Sequence, residues 1–273
     1  MLELTLREIS KLLPVEAFAL SPALCKLTTD DVAKQAVFVG NRQVEIGQLF
    51  HVQRQDGEAE HLKLVGDLSA FRNVGSEMSS GLLTIDGNVG DFLGSEMQAG
   101  DIRVSGNAGD CAGAGMGGGR IRVQGHVGSY LGAAFAGAKQ GMHGGEIIVE
   151  GSAQHYVGQR MRRGLITIHG GCGDFAGSNM LAGTILIHGA HGHSYGASMV
   201  RGTIALLNAD HSERWRLAGF VESGEFEPTF LRLYLRHVQG NQLAAPSLAG
   251  KHCRRFRGDR LGLGKGEIIA IGE

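Results

Sequence analysis

The residues best suited to chemistry lie in the segment IHGAHGHSYG, which carries His188, His191 and His193, with His169 nineteen positions before His188. Imidazoles gathered in this way suit a divalent metal. Strands stacked about 4.8 Å apart would bring His169 and His188 close enough to share one. Asp91 and Asp110 are also nineteen apart and Asp174 continues their series, an arrangement of carboxylates that would suit calcium. Ser129, His155 and His193 interrupt that series. Glycine strings such as GAGMGGGR (113–120) have the composition of a phosphate cradle, but no Walker lysine or helix pattern follows them, only a strand pattern. Two basic clusters complete the set. QRMRRG contains Arg160, Arg162 and Arg163, and KHCRRFRGDR contains Lys251, Arg254, Arg255, Arg257 and Arg260; their guanidinium forks match carboxylates.

What must position these residues is a repeat. The pattern G-x-x-M-x-x-G-x-[IL]-x-[IV]-x-G starts at Gly75, Gly94, Gly113, Lys139, Gly158, Gly177 and Gly196, nineteen apart except for one step of 26. At that step seven residues are inserted within AAFAGAKQGMHGG, and Lys139 stands where the other copies have glycine. Apart from Met1, every methionine of the chain falls in one column: Met78, Met97, Met116, Met142, Met161, Met180 and Met199. Paired β-branched or leucine sites alternate with polar ones, as in Ile102 and Val104 or Ile166 and Ile168, which is the period of a short strand. A unit this short buries its apolar columns only against its own copies. The expectation is an all-β fold, a right-handed parallel β-helix of about seven 19-residue coils over residues 62–207 with the methionines stacked inside as a ladder. Residues 1–61 and 208–273, which do not repeat, are expected to cap its ends.

That register changes what the candidate sites can be. His169 and His188 share the polar position held by Asp86, Ser105, Gln124 and Glu150 in other copies, so solvated outward placement is expected for both, and no metal. The aspartate series likewise reads as a solvated face and the glycine strings as chain corners. No catalytic set is expected in the chain, leaving the arginine clusters as the candidate contacts to a partner.

Composition excludes several classes. Glycine contributes 45 of 273 residues with only four prolines, neither collagen nor a disordered tract. A formal charge of −1 gives no overall attraction to nucleic acid or an acidic membrane. The four cysteines form no CxxC pair, which fits a reducing cytoplasm, and neither a signal peptide nor a membrane-spanning run is read in the chain.

The seven copies, the insertion, the upstream VFVGNRQVEIGQLF (37–50) and the late GKGEI (264–268) together resemble the C-subunit family of formylmethanofuran dehydrogenase, and are most like the C-type member of the bacterial formyltransferase/hydrolase complex. The repeat region is also similar to the glycine-rich β-helix that closes glutamate synthase. The resemblance implies a non-catalytic scaffold subunit that binds no cofactor itself. Its complex would move formyl between tetrahydromethanopterin and a furan carrier and release formate. Because such carriers have polyglutamyl tails, the resemblance makes Arg160, Arg162, Arg163, Arg254, Arg255 and Arg257 candidate contacts to the carrier or to other subunits. The alternative within the family is a tungsten or molybdenum dehydrogenase; an Arg to Lys ratio of 19 to 7 favours the bacterial complex. Outside the family, the repeat alone would also admit a stand-alone polysaccharide enzyme or a detached domain of the glutamate synthase type.

Overall fold

Residues 1–8, 14–208, 219–225, 229–240 and 252–272 are described by the computed structural model. In chain order the strands are β1 (Leu2–Leu6), β2 (Val15–Glu16), β3 (Ala36–Val39), β4 (Arg42–Glu45), β5 (Phe50–Arg54), β6 (His61–Val65), β7 (Phe71–Arg72), β8 (Leu82–Asp86), β9 (Asp101–Val104), β10 (Arg120–Val123), β11 (His143–Val149), β12 (Arg163–Ile168), β13 (Thr184–Ile187), β14 (Arg201–Leu206), β15 (Val221–Glu225), β16 (His252–Gly258) and β17 (Lys265–Gly272). The helices are α1 (Thr29–Ala33), α2 (Ile46–Leu49) and α3 (Thr229–Gly240).

Thirteen strands form one sheet, ordered β15-β16-β17-β14-β13-β12-β11-β10-β9-β8-β6-β1-β5. From β1 through β17 every neighbouring pair is parallel; the antiparallel strands lie at the two ends. Like residues meet across each pair, Ile102 with Ile121 and Val104 with Val123, then Ile166 with Ile185. The chain is therefore mostly β, with a β-helix-like fold in which successive repeat copies stack in register.

Alternation along each strand sends one residue set inward, and the return path supplies two more apolar columns. A row of parallel bridges links Leu68, Val89, Ala108, Val127, Ala153, Cys172 and His191. Val74, Leu93, Ala112, Leu131, Val157 and Ala176 form the other column, one residue before the corner glycines. All seven methionines of the repeat are buried in the same continuous core. Full burial of such a side chain contributes about 1.5–3 kcal/mol.

The insertion sits differently from where the aligned repeats put it. Met116 N donates to Gly113 O at 3.1 Å and Met161 N to Gly158 O at 3.0 Å, whereas Met142 N donates to Gly132 O at 3.0 Å. Gly132 has φ +63°, like Gly113 at +64° and Gly158 at +64°. Gly132, not Lys139, is thus the corner glycine of the fourth copy, and the extra residues, 135–141, loop out between this corner and its methionine. Phe135 from the loop stacks on Phe92 at 6.0 Å, and its ring also packs against Gly115. Phe92 belongs to a column of equivalent positions, Phe92, Cys111, Tyr130, Tyr156 and Phe175, in which the aromatic rings of Tyr130, Tyr156 and Phe175 stack.

The ends are closed by non-repeating structure. At the N-terminal end β5 pairs antiparallel to β1, and a second sheet, β4-β3-β2-β7, lies beside it. Phe50 and Phe71 pack at 5.4 Å, joining this region to the repeat core. At the other end β16 pairs antiparallel with β17, and β15 antiparallel with β16. α3 covers the outer face of the sheet: Leu231 and Leu235 bury against Ile148, Leu165, Leu186, Ala205, Leu207, Ile269 and Ile271. Among the described residues no helix is long and apolar enough to cross a membrane.

Candidate functional site

The aspartate series is structural in a specific way. Asp91 Oδ1 accepts from Asp110 N at 2.9 Å, Asp110 Oδ1 from Ser129 N at 2.7 Å, His155 Nδ1 from Asp174 N at 3.0 Å, and Asp174 Oδ1 from His193 N at 2.7 Å. A second ladder runs beside it: Asn88 Oδ1 accepts from Asn107 N at 2.9 Å, Asn107 Oδ1 from His126 N at 2.7 Å, and His126 Nδ1 from Ser152 N at 3.0 Å. Each side chain satisfies a backbone donor of the next copy at a bend that strand pairing leaves open. The expectation of a merely solvated face is corrected accordingly. Glycine is required between rungs, since a Cβ on Gly109 would lie 2.4 Å from Asp91 Oδ1 and one on Gly128 2.1 Å from Asp110 Oδ1.

His169 and His188 do stack, with ring centroids 4.4 Å apart, on the outward face. They are half-buried rather than solvated, and both Nε2 atoms are shielded from water with no hydrogen-bond partner. The outer face here has turned apolar, with Leu186 and Leu207 buried under α3 in the same cluster. Burial, then the neighbouring His169, pushes the His188 imidazole down to about 4; burial also lowers His169. Among the described residues no group of three or more metal-ligating side chains converges. Because the unfolded imidazole titrates near 6.5, the folded state takes up fewer protons between there and about 4. The contribution to stability is complete above pH ~6.5 and is lost as pH falls toward ~4. His188→Leu, matching Leu207 of the next copy, should therefore gain stability over the parent as pH drops from about 7 to 5. Parallel thermal melts at the two pH values check this; an identical pH response in both proteins would contradict it.

The arginines divide by partner. Arg160 Nη1 donates to Ala138 O at 2.8 Å and Arg162 Nη1 to Gln140 Oε1 at 3.0 Å, so both clip the inserted loop while their chains remain exposed. Arg163, at the start of β12, is exposed beside His143 of β11. Arg254 forks onto Glu222 with bonds of 2.9 and 2.8 Å, and Arg255 pairs with Glu267 at 2.9 Å. Arg257 and Arg260 are exposed; Lys251 lies outside the described residues.

Two surfaces have no counterpart among the residues singled out from sequence. Beyond α3, the outer faces of β6 and β8–β10 form a polar groove of about 620 Å³ containing Lys63, Arg103, Arg120 and Arg122. Each cation there has a carboxylate, Glu3, Asp101, Glu146 and Glu150, at 2.8–3.1 Å. Next to it an apolar groove of about 960 Å³ runs between Gly100, Gly119, Gly145 and Gly164 on its floor and Phe230, Leu233 and Tyr234 of α3. The outward alternation of β8–β10 held the signal for the first; the second needs α3 in place. The first groove is walled by paired charges, the second mainly by glycine backbone and apolar side chains of α3.

No family model matches the chain. It is 37% identical over 79 residues, 29% of its length, to the C subunit of molybdenum-containing formylmethanofuran dehydrogenase 1 from Methanothermobacter marburgensis, and 36% identical over 79 residues to the protein of the same name from Methanothermobacter wolfeii. These matches span about a fifth of the length of the curated relatives. A solved structure is similar from end to end: a chain of the formyltransferase/hydrolase complex (FhcABCD) from Methylorubrum extorquens, crystallised with methylofuran, superposes with TM-score 0.88 at 34% identity, covering 99% of this chain and 100% of that one. With a likeness to one chain of that complex that runs its full length, and with relatives named as C subunits, the chain belongs to the C-subunit family of formylmethanofuran dehydrogenase, whose fold that chain of the bacterial formyltransferase/hydrolase complex shares.

Proposed function

We propose that the chain is a non-catalytic scaffold subunit of a cytoplasmic formyltransferase/hydrolase complex, one that transfers formyl between tetrahydromethanopterin and a furan carrier and releases formate. In this reading it is a right-handed parallel β-helix of about seven 19-residue coils over 62–207, with a cap at 1–61 and a cap and partner-contact segment at 208–273. The right hand follows the strong preference of crossovers between parallel strands of one sheet. The observation that carries the function is the end-to-end match to a chain of the FhcABCD complex. The ladders add weight, because Asp91, Asp110, His126, His155 and Asp174 are engaged in holding backbone donors. Arg163 and Arg257, exposed in the two basic clusters, are the groups best placed to meet a carboxylate of another subunit or of a polyglutamylated carrier.

The purified chain alone should turn over neither formyl-tetrahydromethanopterin nor a formylated furan carrier, while the complex assembled with its other subunits should do both. Turnover by the chain alone would overturn the scaffold reading. The curated relatives favour a second reading, a subunit of a molybdenum or tungsten dehydrogenase. Metal analysis of the assembled complex separates the two: molybdenum or tungsten in stoichiometric amount supports the dehydrogenase.

A further inference from the structure

The hairpin joining β16 to β17 combines a fixed backbone with an exposed apolar tip. Asp259, only 3% exposed, anchors it. Its Oδ2 accepts from Ser198 N at 3.1 Å and its Oδ1 from Leu261 N at 2.9 Å. Its carbonyl accepts from Gly262 N and Gly264 N, each at 3.1 Å, and Arg260 N donates to Gly219 O at 2.8 Å. On this base Leu261 is 89% exposed and Leu263 51%. Val221, also exposed, lies opposite Arg257 in the β15–β16 register.

The exposed charged side chains nearest the tip are cationic. Arg257, Arg260 and Lys265 are exposed, and Arg201 is exposed opposite Lys265 in the β14–β17 register. Arg257 and Lys265 line one small cavity of about 220 Å³. The nearby carboxylates are engaged: Glu267 holds Arg255 at 2.9 Å and accepts from Thr203 Oγ1 at 2.7 Å, and Glu222 holds Arg254 at 2.8 Å. Single exposed leucines need no explanation. Two on one anchored loop, ringed by cations with no ion pair among the described residues, form a shape and a charge that another surface can complement.

We propose that the Asp259–Gly264 tip is a docking knuckle that seats Leu261 and Leu263 in an apolar pocket with an acidic rim on a different subunit. This rests on the reading of the chain as part of a multi-subunit complex. A second copy of the chain is a poor occupant, because a two-fold contact would set these cations against their own equivalents. The anchored backbone means little ordering entropy remains to be lost on docking, and buried apolar anchors carry most of an interface's energy. The cationic ring would speed encounter and make association sensitive to salt.

The test is assembly of the full chain with the remaining formyltransferase/hydrolase subunits of its own organism, produced together and followed by size-exclusion chromatography with light scattering. Two variants are compared with the parent, Leu261→Asp with Leu263→Asp, and Arg257→Glu with Arg260→Glu. Because these side chains are exposed, both variants should keep the parent's circular dichroism and melting temperature. The leucine variant should weaken assembly by at least about tenfold. The arginine variant should assemble more slowly and lose the salt dependence seen for the parent between about 50 and 500 mM NaCl. Parent-like assembly by both variants overturns the knuckle and leaves the scaffold reading intact. Failure of the parent itself to join the other subunits overturns both. Sedimentation with vesicles of phosphatidylcholine and phosphatidylserine covers the remaining occupant: binding by the parent that the leucine variant loses, with assembly unchanged, would assign the tip to a membrane surface and overturn the proposal.

Discussion

Met116→Asp should lower the melting temperature by about 10 °C or more, or prevent cooperative folding altogether. Met116 is fully buried in the core of stacked apolar columns. Its methyl approaches Gly145 so closely that a Cβ there would lie 2.7 Å away, so the side chain is tightly packed as well as buried. A carboxylate would be charged without a partner or neutral at the expense of a large pKa shift, and either state costs several kcal/mol. Met116→Leu, which keeps the volume and apolarity, should cost no more than about 1.5 kcal/mol. Thermal denaturation of the three proteins side by side measures both, and an unchanged midpoint for the aspartate variant would exclude an inward methionine column.

The second large effect distinguishes two residues that compete for one repeat position. Gly132→Val should destabilise the chain by about 2–4 kcal/mol, while Lys139→Gly should stay within about 0.5 kcal/mol. Gly132 has φ +63°, where a β-branched residue is strained, and a Cβ there would come within 2.8 Å of Ile166 Cδ1. Lys139 is exposed within the inserted loop and has no corner to turn. Urea titration of both variants settles the register. A larger loss for Lys139→Gly than for Gly132→Val would return the corner to Lys139.

The inside of this protein is legible from its residues because inside and outside alternate locally. Ile102 and Val104 flank Arg103 whatever surrounds them, and a methionine recurring at fixed spacing has to meet its copies once the strands stack. The family resemblance is legible for the same reason, since seven copies in one register are a long motif.

The outside depends on residues far away in the chain. Ile148, Leu186 and Ala205 occupy outward positions equivalent to Arg103 and Arg122, and only the packing of Leu231 and Leu235 of α3, from residues 229–240, buries them on that face. The ladders of Asp91, Asp110 and Asp174 are invisible as such in sequence, because their partners are backbone N–H groups of the next copy, and every residue but proline carries one. Methionine spacing misplaces the insertion within its copy because it fixes only where register resumes. The actual position is decided by which glycine can hold a left-handed corner, and Phe135 of the loop is held by stacking on Phe92. The knuckle requires both kinds of information: the sequence supplies its arginines and leucines, but only the buried carboxylate of Asp259, tied to Ser198 across sixty-one residues of chain, decides that they project from one fixed point.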